Sequence, residues 1–151
     1  MHINPLLLPV LQKIKFVDRY KSISLKYQFF DERFASFEID RATRIIEAFG
    51  YAVKYNKSEK FFKIIESVAD FKIQFNISLN GGIVEFMYGI TKNGERLKIG
   101  GSVNTTIEII TESDFTVKPC FRNYDDLKEI LNEAFDIYED FKKVLLTVGQ
   151  S

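Results

Sequence analysis

Residues 71 to 79 read FKIQFNISL, and in this run Phe71, Ile73, Phe75, Ile77 and Leu79 alternate without exception with Lys72, Gln74, Asn76 and Ser78. A period of two puts every apolar side chain on one face of an extended strand and every polar one on the other. The segment thus predicts a strand with one face in a core and one polar face. Asn80, Gly81 and Gly82 follow it and supply residues that tolerate the positive φ angles of a tight turn. The chain then returns as IVEFMYGIT, with Val84, Phe86, Tyr88 and Ile90 in the same alternation.

A second hairpin turn is predicted at Asn93-Gly94, after which ERLKI continues the meander. Gly100 and Gly101 allow a bend, and the β-branched run VNTTIEIIT reads as a further strand. Two-residue turns force antiparallel neighbours. Before the meander, the alternation of Ile23, Leu25, Tyr27 and Phe29 in SISLKYQFF predicts another strand.

Helical spacing appears in three places. Asn4 and Pro5 resemble an N-cap and first helical residue, and Leu7, Val10, Leu11, Ile14 and Val17 keep one face of a helix ending near Arg19, with Pro9 able to delay its start. DRATRIIEAFG follows with Asp40 as N-cap and Gly50 placed for a left-handed C-cap. The third is the longest. In NYDDLKEILNEAFDIYEDFKKVLL, Leu127, Ile130, Leu131, Ala134, Tyr138, Phe141 and Leu145 converge on one side, and Asn123 with Asp126 forms a capping-box-like start.

The expected architecture is α+β: an antiparallel β-meander of about five or six strands, N-terminal helices, and a long amphipathic C-terminal helix packed on one face. At 151 residues the chain is the size of one domain, residues 1–151, and 46% apolar content supports a real core. The 21 basic and 21 acidic residues cancel, so no global field draws the chain to nucleic acid or an anionic membrane. LLLPVL is too short to cross a bilayer and is a poor signal peptide. Cys120 is the only cysteine, which excludes an internal disulfide and fits a reducing, cytoplasmic setting.

Enzymatic chemistry finds little to work with. His2 is the only histidine and lies at a terminus, so neither a histidine base nor a multi-histidine metal site is assembled. Cys120 reads as a small buried hydrophobe, and the glycine pairs lack the spacing of a phosphate-binding loop. No catalytic residue, metal ligand or cofactor is assigned, and the expectation is that the protein is not an enzyme.

Charge is nevertheless unevenly spread. Residues 1–30 hold five bases against one acid (+4), and residues 101–151 hold ten acids against five bases (−5). On the last helix Asp126, Glu129, Glu133, Asp136 and Asp140 fall within an arc of about 80°, a row roughly 20 Å long. The first two meet the positive end of the helix dipole, but the rest are like-charge neighbours at a cost of about 0.2 to 0.5 kcal/mol per pair. A solvated face accounts for such a row as well as a binding stripe for a basic partner does.

The block NISLNGGIVEFMYGI, then IGG, then FRNYDDLKEILNEAFDIYEDFKKVL resembles the small bacterial immunity proteins that accompany polymorphic or contact-dependent toxins. The resemblance covers about the second half of the chain. It implies a protein-binding module that neutralises a cognate toxin by direct contact, a basic nuclease in many cases. The five carboxylates of the stripe are the candidate partner-binding residues on that reading. The alternative is a chaperone or adaptor that holds an extended segment of a secreted protein along a sheet edge or apolar groove.

Overall fold

The computed structural model describes residues 2–149. Five strands, β1 (Lys54–Asn56), β2 (Phe61–Val68), β3 (Phe71–Ser78), β4 (Glu85–Lys92) and β5 (Glu95–Leu97), form one antiparallel sheet in the order β1-β2-β3-β4-β5. Three α-helices precede it among the described residues: α1 (Leu8–Lys13), α2 (Phe16–Lys26) and α3 (Ile39–Ala48). Two follow it, α4 (Val103–Thr111) and α5 (Tyr124–Gly149). The expected α+β meander with a long helix on one face is the observed fold, with five strands.

Register explains why one face became the core. Ile64 opposes Phe75, Phe75 opposes Tyr88, and Ile73 opposes Ile90, so apolar positions of successive strands line up on one face. That face is buried, and α5 lies on it with Leu127, Ile130, Leu131, Ala134, Tyr138, Phe141 and Leu145 all fully buried. Burial of side chains this size contributes about 1.5 to 3 kcal/mol each before entropy, so α5 is integral to the fold. Phe75 stacks on Tyr138 with ring centroids 4.6 Å apart.

Two expected strands are helices. SISLKYQFF was expected to extend from Ile23, but α2 runs to Lys26 and buries Phe16, Tyr20 and Ile23, a helical stripe. Leu25, which alternation would bury, is 54% exposed. The first helix is also divided: α1 ends at Lys13, Lys15 takes a left-handed φ of 57°, and α2 continues well past Arg19. Pro9 falls in the first turn of α1, where its missing N–H costs nothing.

VNTTIEIIT forms α4 despite its β-branched residues. The Ser102 hydroxyl caps it by accepting from the Thr105 amide, and Val103, Thr106 and Ile107 are buried at helical spacing. Thr106 and Thr111 turn their hydroxyls back to the carbonyls of Ser102 and Ile107 four residues earlier. Capping and burial thus override a strand preference that reflects only fit to a pleated surface.

Smaller features match closely. Asn93 and Gly94 have φ of 52° and 81°, as a tight hairpin requires. Gly50 has the expected left-handed φ, 101°, one residue past the Phe49 C-cap of α3, although the N-cap of that helix is Glu38 and not Asp40. Among the described residues no helix is long and apolar enough to cross a membrane.

Candidate functional site

The acidic helix begins at a closed junction. Asn123 caps α5 by accepting the Asp126 amide at 2.8 Å, as expected. The return bond of a capping box goes elsewhere: the Asp126 carboxylate accepts from the Arg122 amide at 3.0 Å and from the Arg122 guanidinium at 2.8 and 3.1 Å. Arg122 in turn lies over the Phe29 ring at 3.6 Å. Asp126 is 4% exposed, so it is a structural anchor and is withdrawn from any contact surface.

The Arg122 hydrogen bonds hold the Asp126 carboxyl below the usual carboxylate range, against the opposing effect of burial. Its folded value lies below its unfolded one, so between the two the unfolded chain binds the extra proton. The stabilisation is therefore present above the unfolded value of about 3.9 and is lost as pH falls through the folded value. Urea titrations should show Asp126→Asn closing part of its stability gap to wild type between pH 7 and pH 2.5. A gap independent of pH would show that the carboxylate charge contributes nothing.

The rest of the row divides into two flanks. Glu133 pairs with Lys26 and Asp140 with Arg19, each at 2.8 Å, and both bases belong to α2. The basic N-terminal region and the acidic C-terminal one thus meet within the molecule. Glu129 and Asp136 are exposed and, among the described residues, form no ion pair. Asp125, outside the expected row, is also exposed and, among the described residues, forms no ion pair. At 100° per residue, Asp125, Glu129 and Asp136 fall within about 40° of one another and span about 16 Å. The outward ridge of α5 is this trio.

A second polar group escaped the sequence reading. Glu66 lies on the core-side face of β2, where its carboxylate accepts from the Tyr138 hydroxyl at 2.7 Å and the Lys142 ammonium at 2.9 Å. Lys142 also pairs with Glu139 at 2.8 Å, and the Tyr51 hydroxyl donates to Glu139. Burial of Glu139 opposes its ionisation, but the bonds from Lys142 and Tyr51 outweigh it and hold the carboxyl below its ordinary value. Burial and the neighbouring carboxylates push the Tyr51 and Tyr138 phenols up, which keeps both as donors. The cluster clamps α5 to the sheet. Only the inward position of Glu66 in the β2 alternation signalled it.

Cys120 is buried, as a small hydrophobe would be, and burial pushes its thiol up, away from the thiolate. Its amide donates to the Tyr27 carbonyl at 2.8 Å in a segment that also takes the Phe34 amide at Phe121, 2.9 Å, and gives the Phe121 amide to Gly82, 3.1 Å. Gly82 is buried at this crossing. Compared with known families, curated proteins and solved structures, the chain matches none.

Proposed function

We propose that this protein is a binding module of the immunity type, which neutralises a basic protein partner by direct contact through the outward ridge of α5. One observation carries the reading. Where the row faces the rest of the chain, Glu133 and Asp140 are matched by Lys26 and Arg19, whereas Asp125, Glu129 and Asp136 are exposed on the outer side of the same helix and, among the described residues, form no ion pair. Three carboxylates at fixed spacing on a helix anchored by its buried side suit a surface of Lys and Arg, such as a nuclease uses to hold its substrate. They would speed encounter and set register more than they would add raw affinity.

The division of the row supplies the test. Changing Asp125, Glu129 and Asp136 to Lys should lower the melting temperature by only a few degrees, the cost of placing cations at positions 125 and 129 near the positive end of the α5 dipole, since no ion pair is lost. Changing Glu133 and Asp140 to Lys should lower it, because each exposed pair contributes about 0.2 to 1 kcal/mol and reversal replaces it with repulsion. Against a basic toxin domain that the wild type neutralises, the first variant should lose protection of cells and associate at least 10-fold more slowly, and the wild-type rate should fall as salt rises. Full protection by the first variant, with a salt-independent rate, would reject the ridge as the contact.

A further inference from the structure

The face of the sheet turned away from α5 is open. Alternation in register places Lys54, Lys63, Lys72 and Arg96 on it, and among the described residues none of the four has an ion-pair partner. Its one carboxylate, Glu85, stands at the edge and is taken by Lys118 at 3.6 Å. Lys54 and Lys63 are directly opposed across β1 and β2. Like charges in that position oppose the strand pairing, so the fold itself gives no reason for the arrangement.

The surface between these cations is shaped for contact. A shallow groove of about 330 Å³ crosses Gly89, bordered by Gln74, Met87, Thr91 and Arg96. Gly89 has an ordinary strand conformation, and a Cβ there would meet only Gln74, at 3.8 Å. The groove is open for want of a side chain and not because the backbone demands glycine. Ile65, 46% exposed, adds an apolar point beside Gln74.

We propose that this open sheet face is a second docking surface, distinct from the α5 ridge, and that it takes a carboxylate-rich protein surface. Charge complementarity selects the occupant. A two-fold contact between the faces of two copies would set four cations against four cations, which excludes that pairing. Single-stranded nucleic acid is read on sheets through exposed aromatic platforms, and the aromatic ring on this face, Phe61, is buried at a corner. The projected area, about 27 Å by 19 Å from strand length and spacing, is small beside the roughly 800 Å² per partner of a stable interface. The contact is therefore transient and charge-steered, and the protein carries faces of opposite sign on its two sides.

The experiment is amide shift mapping on the ¹⁵N-labelled protein with a 15-residue Glu/Asp-rich peptide, its Gln/Asn counterpart, and a 15-nucleotide oligo(dT). The acidic peptide should shift the amides of Lys72, Gln74, Gly89 and Arg96 and leave those of α5 in place. Its affinity should fall at least 10-fold in Lys63→Glu/Lys72→Glu/Arg96→Glu and between 50 and 500 mM salt, and the amide peptide should not bind. Gly89→Phe fills the groove without reversing a charge and should weaken binding with the spectrum still that of a folded protein. The proposal is overturned by no shift at millimolar acidic peptide, by shifts centred elsewhere, by tighter binding of oligo(dT), or by self-association abolished by the same charge reversal.

Discussion

Replacing Phe75 with Ala should destabilise the protein by about 3 to 5 kcal/mol, the range for emptying a buried aromatic site. Phe75 is fully buried at the centre of the sheet's inner face, stacked on Tyr138 and Phe86 and within 4.9 Å of Tyr88. Its ring bridges β3, β4 and α5, so no single neighbour can move in to fill the space. Aromatic pairs add about 0.5 to 1.5 kcal/mol beyond area alone, which places the value toward the upper end. Chemical denaturation should show the loss, with a melting temperature lower by about 6 to 20 °C. Phe75→Leu should cost less, and Ile65→Ala, on the opposite face, should stay within about 0.5 kcal/mol. Equal losses at positions 65 and 75 would mean that the faces are assigned wrongly.

Gly82→Ala should cost at least about 2 kcal/mol, although it adds one methyl group. Gly82 has φ of 77°, which costs an L-residue roughly 1 to 2 kcal/mol. A Cβ there would also lie 2.9 Å from the Cβ of Arg33 and from the Phe34 nitrogen. Those atoms are held in turn, because the Phe34 amide donates to Phe121 and the Phe121 amide donates to Gly82 itself. Gly81 is the matched control: φ is 66° and nothing lies within 4 Å of its Cβ position, so Gly81→Ala carries the conformational cost alone. Paired urea titrations measure the difference. Indistinguishable variants would show that the junction yields freely and that only backbone conformation matters.

The parts legible in the sequence were those where one periodicity had no rival. β3 and β4 alternate over eight residues each, and the buried side of α5 repeats over five turns, from Leu127 to Leu145. α2 and α4 were misread because short apolar runs satisfy both periods: Ile23 and Tyr27 suit a strand as well as a helix, and the test is Leu25, whose exposure no local pattern reports. In α4 the deciding contacts are the Ser102 cap and burial against the rest of the fold. The acidic row was legible as a row, but its division was not. Whether Glu133 and Asp140 face outward depends on Lys26 and Arg19, 107 and 121 residues earlier in the chain. Asp125 was within reach, since it shares the angular position of Glu129 and Asp136 on the wheel.

The strictly sequential strand order carries a consequence for synthesis. Every strand pairs with the one made just before it, so the sheet can zip up as it emerges, with little loop-closure entropy to overcome. Its inner face, however, is roofed by α5, which ends 52 residues after β5 (149 minus 97). At about 5 to 20 residues per second, the ribosome leaves Ile73, Phe75 and Tyr88 without that cover for about 3 to 10 s. The nascent chain thus presents a broad sticky surface just when its neighbours on a polysome present the same one. Chaperone demand should be concentrated in that interval, and slow codons between β5 and α5 should lower the soluble yield more than slow codons within α5's final turns.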